Sequence, residues 1–525
     1  MQFPDLSALD AFQLACLALA IGMLLWDTVE VGRNDAANLV NAVFGARVMS
    51  RRSAIILAGI AVVLGAVLSS DVIDTARKGI FDPTMLGSLK AALAVYISVY
   101  IVDTVLLYSY SAFGMPISTT ACLVFELLGA SLAVNAAAIR WGKAGIVIGG
   151  IICSIVLTGF VAFAVQRAVR GAIRDKTTSL GVLLLHGGWI GGGLTAALCY
   201  FLLLKGMKNV PWIRQLQEAL HRIDDTAQAD IATPLLLVFL WGIFAILIHV
   251  TLVVYRKRAA RLLFPILSVL GMCAMAFAFG QNDLANCASP GLAAINLIMA
   301  QDVKIGTEVP IQWWMLLICG LLLFAGMTTK NAQRVTKAAV STGSMGDHVA
   351  LWAPRWCVTL ATKLLRFRGD APALAPRAAI TSAGKTVHYD SLRACVIMSV
   401  SASVIATASS LALPVSTTYV AFAAVIATGM ADRIFQRGDA ELKLGRAIWV
   451  VLSWFLSAVI AAVASACVAW LLVHLEVIGI VLCLTVNLVI RAYIKRRGDA
   501  HAKRVQEEAY ERVHPEEFAL EQEDY

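Results

Sequence analysis

Long apolar runs separated by short basic loops dominate the pattern of this chain. Residues 53–69, 143–165 and 234–255 are typical runs, and each approaches the ~20 apolar residues that a helix needs to cross a bilayer. Lipid offers no hydrogen-bonding partner to peptide groups, so such runs are expected to be helical. The pattern predicts an all-α polytopic membrane protein with roughly 11–13 transmembrane segments.

Composition and charge agree with that class and exclude others. Of the 525 residues, 59% are hydrophobic and only 15% are charged, whereas soluble domains carry ~25% charged residues. The net charge of +9 fits basic loops beside a membrane and requires no nucleic acid. The 11 cysteines are scattered without a CxxC or Cys/His cluster, which indicates small core residues rather than metal ligands.

The basic loops also predict an orientation, because lysine and arginine favour the cytoplasmic side. An acidic N-terminal leader and the arginines of residues 46–53 place the N-terminus outside and that loop inside. Residues 166–176 and 255–261 are then cytoplasmic, as are a basic insert at 330–393 and the charged C-terminal tail. The leader lacks the basic segment of a cleaved signal peptide. We expect a multi-pass protein of the cell (inner) membrane, embedded in its lipid bilayer.

Two polar strings interrupt the apolar segments, and each occurs twice. VGRNDAAN at 31–38 returns as FGQNDLAN at 279–286, and GMPISTT at 114–120 returns as ALPVSTT at 412–418. We call these the Asn-Asp strings and the Ser-Thr-Thr strings. Their order is the same in both halves, and the predicted orientation gives the two repeats inverted topology. Inverted repeats place substrate and coupling ions near the membrane midplane, where broken half-helices from both halves meet.

The strings also suggest boundaries along the chain. The first repeat is assigned to residues 1–176, with motifs at 32–38 and 116–120, and residues 177–261 form connecting transmembrane helices. The second repeat covers residues 262–473, with motifs at 280–286 and 414–418, and includes the cytoplasmic insert 330–393. Residues 474–525 hold a last short hydrophobic segment and the charged tail.

The Ser-Thr-Thr strings have the chemistry of an anion site. Proline fits the first turn of a helix, so we expect a break and a new half-helix near Pro116 and near Pro414. The free N–H groups and positive dipole end of such a helix attract anions, and hydroxyl donors suit a tetrahedral oxyanion. The predicted anion ligands are Ser118, Thr119, Thr120, Ser416, Thr417 and Thr418. Alternatively, these hydroxyls only bond helix carbonyls or join helices, but their matched occurrence favours the anion site.

The Asn-Asp strings have the chemistry of a cation site. Asp35 and Asp283 lie in apolar segments, where an unpaired charge at the bilayer centre costs at least ~2.5–3.5 kcal/mol. Carboxylate and amide oxygens suit a hard cation such as Na⁺, and we expect the preceding glycine to unwind the backbone and expose carbonyls. The predicted cation ligands are Asn34, Asp35, Asn38, Asn282, Asp283 and Asn286. In the alternative, the asparagines cap half-helices and the aspartates pair with an arginine.

The strings GRNDAAN, PISTT, GQNDLAN and PVSTT, in this order, resemble the inorganic phosphate transporter (PiT) family. Members of that family carry Gly-Ala-Asn-Asp-x-Ala-Asn and Pro-x-Ser-Thr-Thr in each of two inverted repeats. The resemblance implies symport of phosphate with Na⁺ or H⁺ by alternating access, with phosphate at the Ser-Thr-Thr half-helices and cations at the Asn-Asp segments. It implies no enzymatic activity and no cofactor beyond the coupling ion. A homodimer is a further expectation, since large transporters often dimerise.

The chain departs from the family pattern beside the strings. The usual alanine is Arg33 in the first repeat and Gln281 in the second, and a histidine common after Ser-Thr-Thr is Ala121 or Tyr419. Arg33 is predicted to neutralise Asp35, to replace a coupling cation or to bind the oxyanion through its guanidinium. In the alternative it faces a loop or lies along a helix end with its charge at the interface. These departures keep sulfate or another tetrahedral oxyanion as the alternative substrate.

Further carboxyl groups lie in apolar segments. Glu30 and Glu126 are candidates for a proton or second cation site, whereas Asp27 and Asp103 are expected to pair with a neighbour. A channel is an alternative class that the anion-binding half-helices disfavour. An enzyme acting on phosphate would need a His/Asp or metal constellation, and an ATP-driven pump would need GxxxxGK[ST]; the sequence contains neither.

Overall fold

The computed structural model describes residues 7, 9–69, 80–207, 210–227, 231–301, 313–346, 348–366 and 387–513. Within these ranges the apolar runs fold into α-helices, which confirms the predicted helical class. In chain order the helices are α1 (Ala11–Gly45), α2 (Arg51–Val67), α3 (Leu89–Ala112), α4 (Thr119–Asn135), α5 (Trp141–Ile173), α6 (Leu180–Cys199), α7 (Pro211–Ala227), α8 (Ala232–Ala300), α9 (Trp313–Met327), α10 (Lys330–Thr342), α11 (Arg355–Arg366), α12 (Ser391–Ser410), α13 (Thr417–Ala431) and α14 (Ala440–Val513).

Several of these helices are long and apolar enough to cross a membrane. Among the described residues 8 helices qualify, or up to 9 spans if α9 and α10, which meet at a bend of 66°, form one. Roughly 11–13 segments were expected from hydropathy. The count is lower because α8 and α14 are each counted as one helix, although each contains a break. The backbone leaves helical geometry at Arg256 (φ 43°) in α8 and at Glu476 (φ 50°) in α14. The portions on both sides of each break exceed the ~20 residues of a crossing, so each of these two helices has the length of two spans.

The helices that carry the Asn-Asp strings, α1 and α8, pack against each other inside the bundle. Both remain helical through their strings, so the expected unwinding at the glycines is wrong. A Cβ on Gly32 would lie 2.0 Å from the carbonyl oxygen of Leu323, and one on Gly280 would lie 2.2 Å from that of Val62. The glycines are needed because a neighbouring helix backbone touches α1 and α8 at these points.

The chain does break before each Ser-Thr-Thr string, close to Pro116 and Pro414 as predicted. The new helices α4 and α13 begin just after Ser118 and Ser416, which are their N-caps. Each serine hydroxyl accepts a hydrogen bond from the backbone N–H group three residues later, at 3.0 and 3.1 Å. Capping by serine therefore fixes the start of both half-helices.

Parts of the basic insert and of the charged tail are packed onto the bundle. Helix α10, at the start of the insert, contacts α1, where Val335 and Ala339 pack against Ala37. Helix α11 contacts α14, and residues 367–386 of the insert lie outside the described part of the chain. The tail continues α14 to Val513, beyond which the chain is again outside the described part.

Candidate anion and cation binding site

In the first repeat, a side-chain amide joins the Asn-Asp string to the break before α4. Asn34 Nδ2 donates to the carbonyl oxygen of Ile117 at 2.7 Å, and the Ile117 N–H group donates to Asn34 Oδ1 at 3.4 Å. Asn34 is fully buried. The pair satisfies backbone groups that the helix break would otherwise leave without a partner, and it holds the broken segment against α1.

The second repeat contains the same contact at equivalent positions. Asn282 Nδ2 donates to the carbonyl oxygen of Val415 at 2.7 Å, and the Val415 N–H group donates to Asn282 Oδ1 at 3.4 Å. Asn282 is also fully buried. The two repeats therefore build the same local structure from their related strings.

A second set of hydrogen bonds connects the repeats to each other. The hydroxyl group of Thr418, from the second repeat, donates to Asp35 Oδ1 at 2.8 Å. In the opposite direction, the hydroxyl group of Thr119, from the first repeat, donates to Asp283 Oδ1 at 3.1 Å. Each predicted cation carboxylate is thus bonded by a predicted anion ligand of the other repeat.

The asparagines at the end of the strings complete these connections. Asn38 Nδ2 lies 2.8 Å from Asp35 Oδ1 and 2.9 Å from Thr418 Oγ1. Asn286 Nδ2 lies 2.9 Å from Asp283 Oδ1 and 2.9 Å from Thr120 Oγ1. Each amide therefore bridges the carboxylate one helical turn before it and a threonine hydroxyl of the other repeat.

Two threonine hydroxyls also reach the backbone of the opposite break. Thr120 Oγ1 donates to the carbonyl oxygen of Val415 at 3.0 Å, and Thr418 Oγ1 lies 3.1 Å from that of Ile117. A hydroxyl group has one hydrogen to donate. For Thr418, the contacts to Ile117 and to Asp35 are therefore alternatives, and this hydroxyl can change its acceptor without leaving its place.

Three oxygens of the predicted ligands are buried without a hydrogen-bond partner among the described residues, namely Asp35 Oδ2, Asn286 Oδ1 and Thr417 Oγ1. A carboxylate oxygen and amide oxygens are the ligands that a hard cation prefers. The predicted cation ligands Asn34, Asp35, Asn38, Asn282, Asp283 and Asn286 are all buried in the described structure. The donor set therefore fits a Na⁺-like ion at each string.

The remaining predicted anion ligands lie in the same buried region. Ser118 and Ser416 accept the capping hydrogen bonds of α4 and α13. Thr417 is buried in the first turn of α13. The hydroxyl groups of both strings thus surround the N-terminal ends of two half-helices that face each other, an arrangement suited to an oxyanion.

Arg33 takes part in a different cluster. Its Nη1 atom lies 2.6 Å from Glu30 Oε2, and Arg491 Nη2 lies 2.5 Å from Glu30 Oε1. The Trp26 indole N–H group donates to the same carboxylate at 3.1 Å, and the Arg491 guanidinium lies over the Tyr108 ring. Glu30 is thus held between two guanidinium groups. An anion-binding role for Arg33, and a proton or cation role for Glu30, stay predictions.

Glu126 lies in the interior of α4 and has a different environment. It is fully buried, and neither of its carboxyl oxygens has a hydrogen-bond partner. Asp27 and Asp103 are its charged neighbours, and both are buried as well.

Several residues that complete the site were missed by sequence reasoning. The acceptors on the opposite breaks are backbone carbonyls, and no residue type signals such a role. Tyr419 stacks on Trp454 with ring centroids 3.9 Å apart, and Trp454 Nε1 donates to the carbonyl oxygen of Pro116 at 3.1 Å. Arg491 interrupts the apolar run VLCLTVNLVIRAY, and this signal in the sequence was not used.

Comparison with known families and proteins finds relatives that are phosphate transporters or permeases by name. A model of the phosphate transporter family matches residues 31–344 and 373–501. A candidate phosphate permease of Pyrococcus abyssi is 24% identical over 467 residues, which is 87% of this chain and 97% of the relative. One of Thermococcus kodakarensis is 26% identical over 478 residues, covering 88% and 98%.

A solved structure has the same fold. It is titled "The sodium-dependent phosphate transporter", and it superimposes with a TM-score of 0.62 over 87% of this chain and 99% of that chain. The two sequences are 21% identical in this alignment, so the likeness is one of fold.

Proposed function

The chain belongs to the phosphate transporter family, and we propose that it is a secondary active symporter that imports inorganic phosphate with Na⁺ across the cell membrane. Phosphate binds between the facing N-terminal ends of α4 and α13. One Na⁺ binds at each Asn-Asp string, through Asp35 in the first repeat and Asp283 in the second. H⁺ as the coupling ion and sulfate as the substrate are the alternatives.

The observation that carries this proposal is the exchange of hydrogen bonds between the repeats. Thr418 and Thr119 donate to Asp35 and Asp283, although an oxyanion at the half-helices would need the same hydroxyl hydrogens. A cation that binds Asp35 or Asp283 neutralises the carboxylate, so the threonine hydroxyl is released and can donate to the anion. Cation and anion therefore favour each other's binding, which is the coupling free energy that a symporter needs.

Hydrogen-bond acceptors beside the anion position favour phosphate over sulfate. The carbonyl oxygens of Ile117 and Val415, together with the two carboxylates, can only accept hydrogen bonds. Phosphate near neutral pH retains a P–OH group that can donate to them, whereas sulfate has no such hydrogen. A site that pairs a substrate hydroxyl disfavours an analogue that lacks it, because its own polar groups are then left unsatisfied.

The transport step proposed here is a rocking motion of one repeat against the other around the buried site. At the buried site the hydrogen bonds between the repeats are local, and the hydroxyl of Thr418 can exchange one acceptor for another. Occupancy by both ions removes the charge that keeps the two strings bonded to each other. Such differential binding is what shifts the population between outward-open and inward-open states.

Uptake by proteoliposomes tests the proposal. Labelled phosphate should accumulate when Na⁺ is higher outside, with sulfate competing at least ~100-fold less well because of the missing hydroxyl. Varying the Na⁺ gradient and the pH gradient separately identifies the coupling ion. Accumulation that follows only the pH gradient would replace Na⁺ by H⁺, with Glu126 and Glu30 as the candidate proton carriers, and equal competition by sulfate would contradict the substrate assignment.

The proposal also includes a C-terminal tail on the cytoplasmic side of the membrane and assembly as a homodimer. A C-terminal tail on the cytoplasmic side is checked by protease accessibility of the tail in right-side-out and inside-out vesicles. A homodimer is checked by the mass of the purified protein with bound detergent subtracted.

A further inference from the structure

A cavity of ≈ 430 Å³ lies at one end of the helix bundle, outside the candidate site. Its wall is formed by the C-terminal ends of α1 and α3, by α10, by the segment before α11, and by both ends of α14. Four cationic side chains line it: Arg47, Arg334, Lys337 and Arg446. No aspartate or glutamate is among its described lining residues.

The charge of Arg446 faces this cavity without a carboxylate against it. Its Nη1 donates to the carbonyl oxygen of Trp352 at 3.0 Å and its Nη2 to that of Gly114 at 2.9 Å. The residue is buried and its Nε atom has no hydrogen-bond partner. Carbonyl dipoles orient the guanidinium but leave its net charge in place, so the cavity wall carries a fixed positive charge.

Helix α10 adds two further charges. Lys337 is exposed at the cavity wall and has no carboxylate partner among the described residues. Arg334 pairs with Asp499 of α14, which ties the tail helix over one side of the cavity. Asp499 offsets the charge of Arg334, so the positive charge of the wall rests on Arg446 and Lys337. A cleft with an excess of one charge attracts counter-ions.

Neutral hydrogen-bonding groups accompany these cations. His388 Nδ1 lies 2.9 Å from Ser344 Oγ, and burial, together with the charges of Arg47 and Lys443, lowers the pKa of His388 to about 4. His388 is therefore uncharged at neutral pH. The His501 ring packs against Phe113 and Trp352, which gives the cavity a rigid aromatic side.

We propose that this cavity is a second binding site for inorganic phosphate, distinct from the site between the half-helices. Guanidinium and ammonium groups are the side chains that bind phosphate oxygens best. The position supports a role in transport, because Arg446 bonds Gly114, and the Ser-Thr-Thr half-helix begins a few residues later. Phosphate held here lies next to the end of the transport path. The identity of the anion rests on the proposed function, whereas the charge argument does not.

Equilibrium binding of labelled phosphate to the detergent-solubilised full chain tests this site. With Na⁺ sufficient for the proposed cation sites and no other added salt, the unaltered protein should bind two phosphates per chain. Lys337→Gln should weaken one of them about tenfold, since a charge near the anion is lost, and Lys337→Arg should restore it. The matched control is Lys363→Gln, which removes another exposed lysine that does not line the cavity and should change neither site.

Thr418→Val separates this proposal from the proposed function. It should weaken binding at the half-helices and leave the cavity site intact, and added salt should weaken the cavity site through screening. A single phosphate per chain in the unaltered protein, or equal binding by the Lys337→Gln and Lys363→Gln variants, would overturn the second site. Two-site binding without Na⁺-driven uptake would instead contradict the proposed function alone.

Discussion

The two repeats share the hydrogen bonds that hold their helix breaks, but they differ in the charges around them. Asn34 and Asn282 hold their helix breaks with equal distances of 2.7 Å. The first repeat has Glu30, Arg33 and Glu126. At the equivalent sequence positions, counted from the strings, the second repeat has Ala278, Gln281 and Ala424. The shared part builds the site, and the unshared part places charge on one side of it only. We infer that binding is symmetric and that further coupling or stabilising functions belong to the first repeat.

Replacing either aspartate should have the largest effect. Asp35→Asn and Asp283→Asn keep the size of the side chain but remove its charge, so each variant should lose at least ~100-fold in Na⁺-driven phosphate uptake. Initial rates in proteoliposomes check this, with protein insertion measured in the same vesicles. If one variant transports normally, the two repeats do not contribute equivalent cation sites.

Replacing the threonines whose hydroxyl groups bond to the other repeat should have the second-largest effect. Thr418→Val and Thr119→Val each remove a hydroxyl hydrogen that the bound anion would accept, which costs ~1–3 kcal/mol, or roughly 5- to 150-fold in phosphate affinity. Binding of labelled phosphate at saturating Na⁺ measures the change. Thr158→Val is the control, because the Thr158 hydroxyl is buried but bonds only a carbonyl of its own helix. Thr418 and Thr119 occupy different positions of their strings, so a loss confined to one variant would show which of the two contacts between the repeats supplies the anion donor.

Substitutions in the cluster of Glu30, Arg33 and Arg491 should lower the stability of the protein more than its affinity for phosphate. Glu30→Gln leaves two guanidinium groups facing a neutral amide and should destabilise the protein by ~3–5 kcal/mol. Arg33→Gln, which copies Gln281 of the second repeat, leaves Glu30 paired with Arg491 and should cost only ~1–2 kcal/mol. Thermal unfolding in detergent compares the two variants. A greater loss in Arg33→Gln would contradict this ranking.

The same arginine tests the predicted anion contact. If Arg33 binds the oxyanion, Arg33→Ala should weaken phosphate affinity without changing the dependence on Na⁺. Unchanged affinity would restrict Arg33 to its contact with Glu30. The two outcomes are distinguished by phosphate titration at several fixed Na⁺ concentrations.

Sequence alone predicted the helical class, the two repeats and the helix breaks, because hydropathy, proline and repeated strings are local signals. Sequence could not predict that Thr418 would bond Asp35, because that contact joins residues from different repeats and depends on how the breaks face each other. It also misjudged Gly32 and Gly280, whose role depends on backbone atoms of neighbouring helices. The partner of Arg33 could be anticipated from its i, i+3 spacing to Glu30, but Arg491 as the second cation could not.

Glu126 offers the finest comparison between the repeats, since its counterpart Ala424 cannot carry a proton. The carboxyl group is buried with both oxygens unpartnered, and a full charge there would have no compensating donor. If Glu126 only stays protonated as a spacer, Glu126→Gln should leave uptake and its pH dependence unchanged. If it exchanges a proton during transport, the same variant should retain phosphate binding but lose its response to a pH gradient. We expect the second result, with a reduction of less than ~10-fold in Na⁺-driven uptake, because the cation sites at Asp35 and Asp283 remain intact.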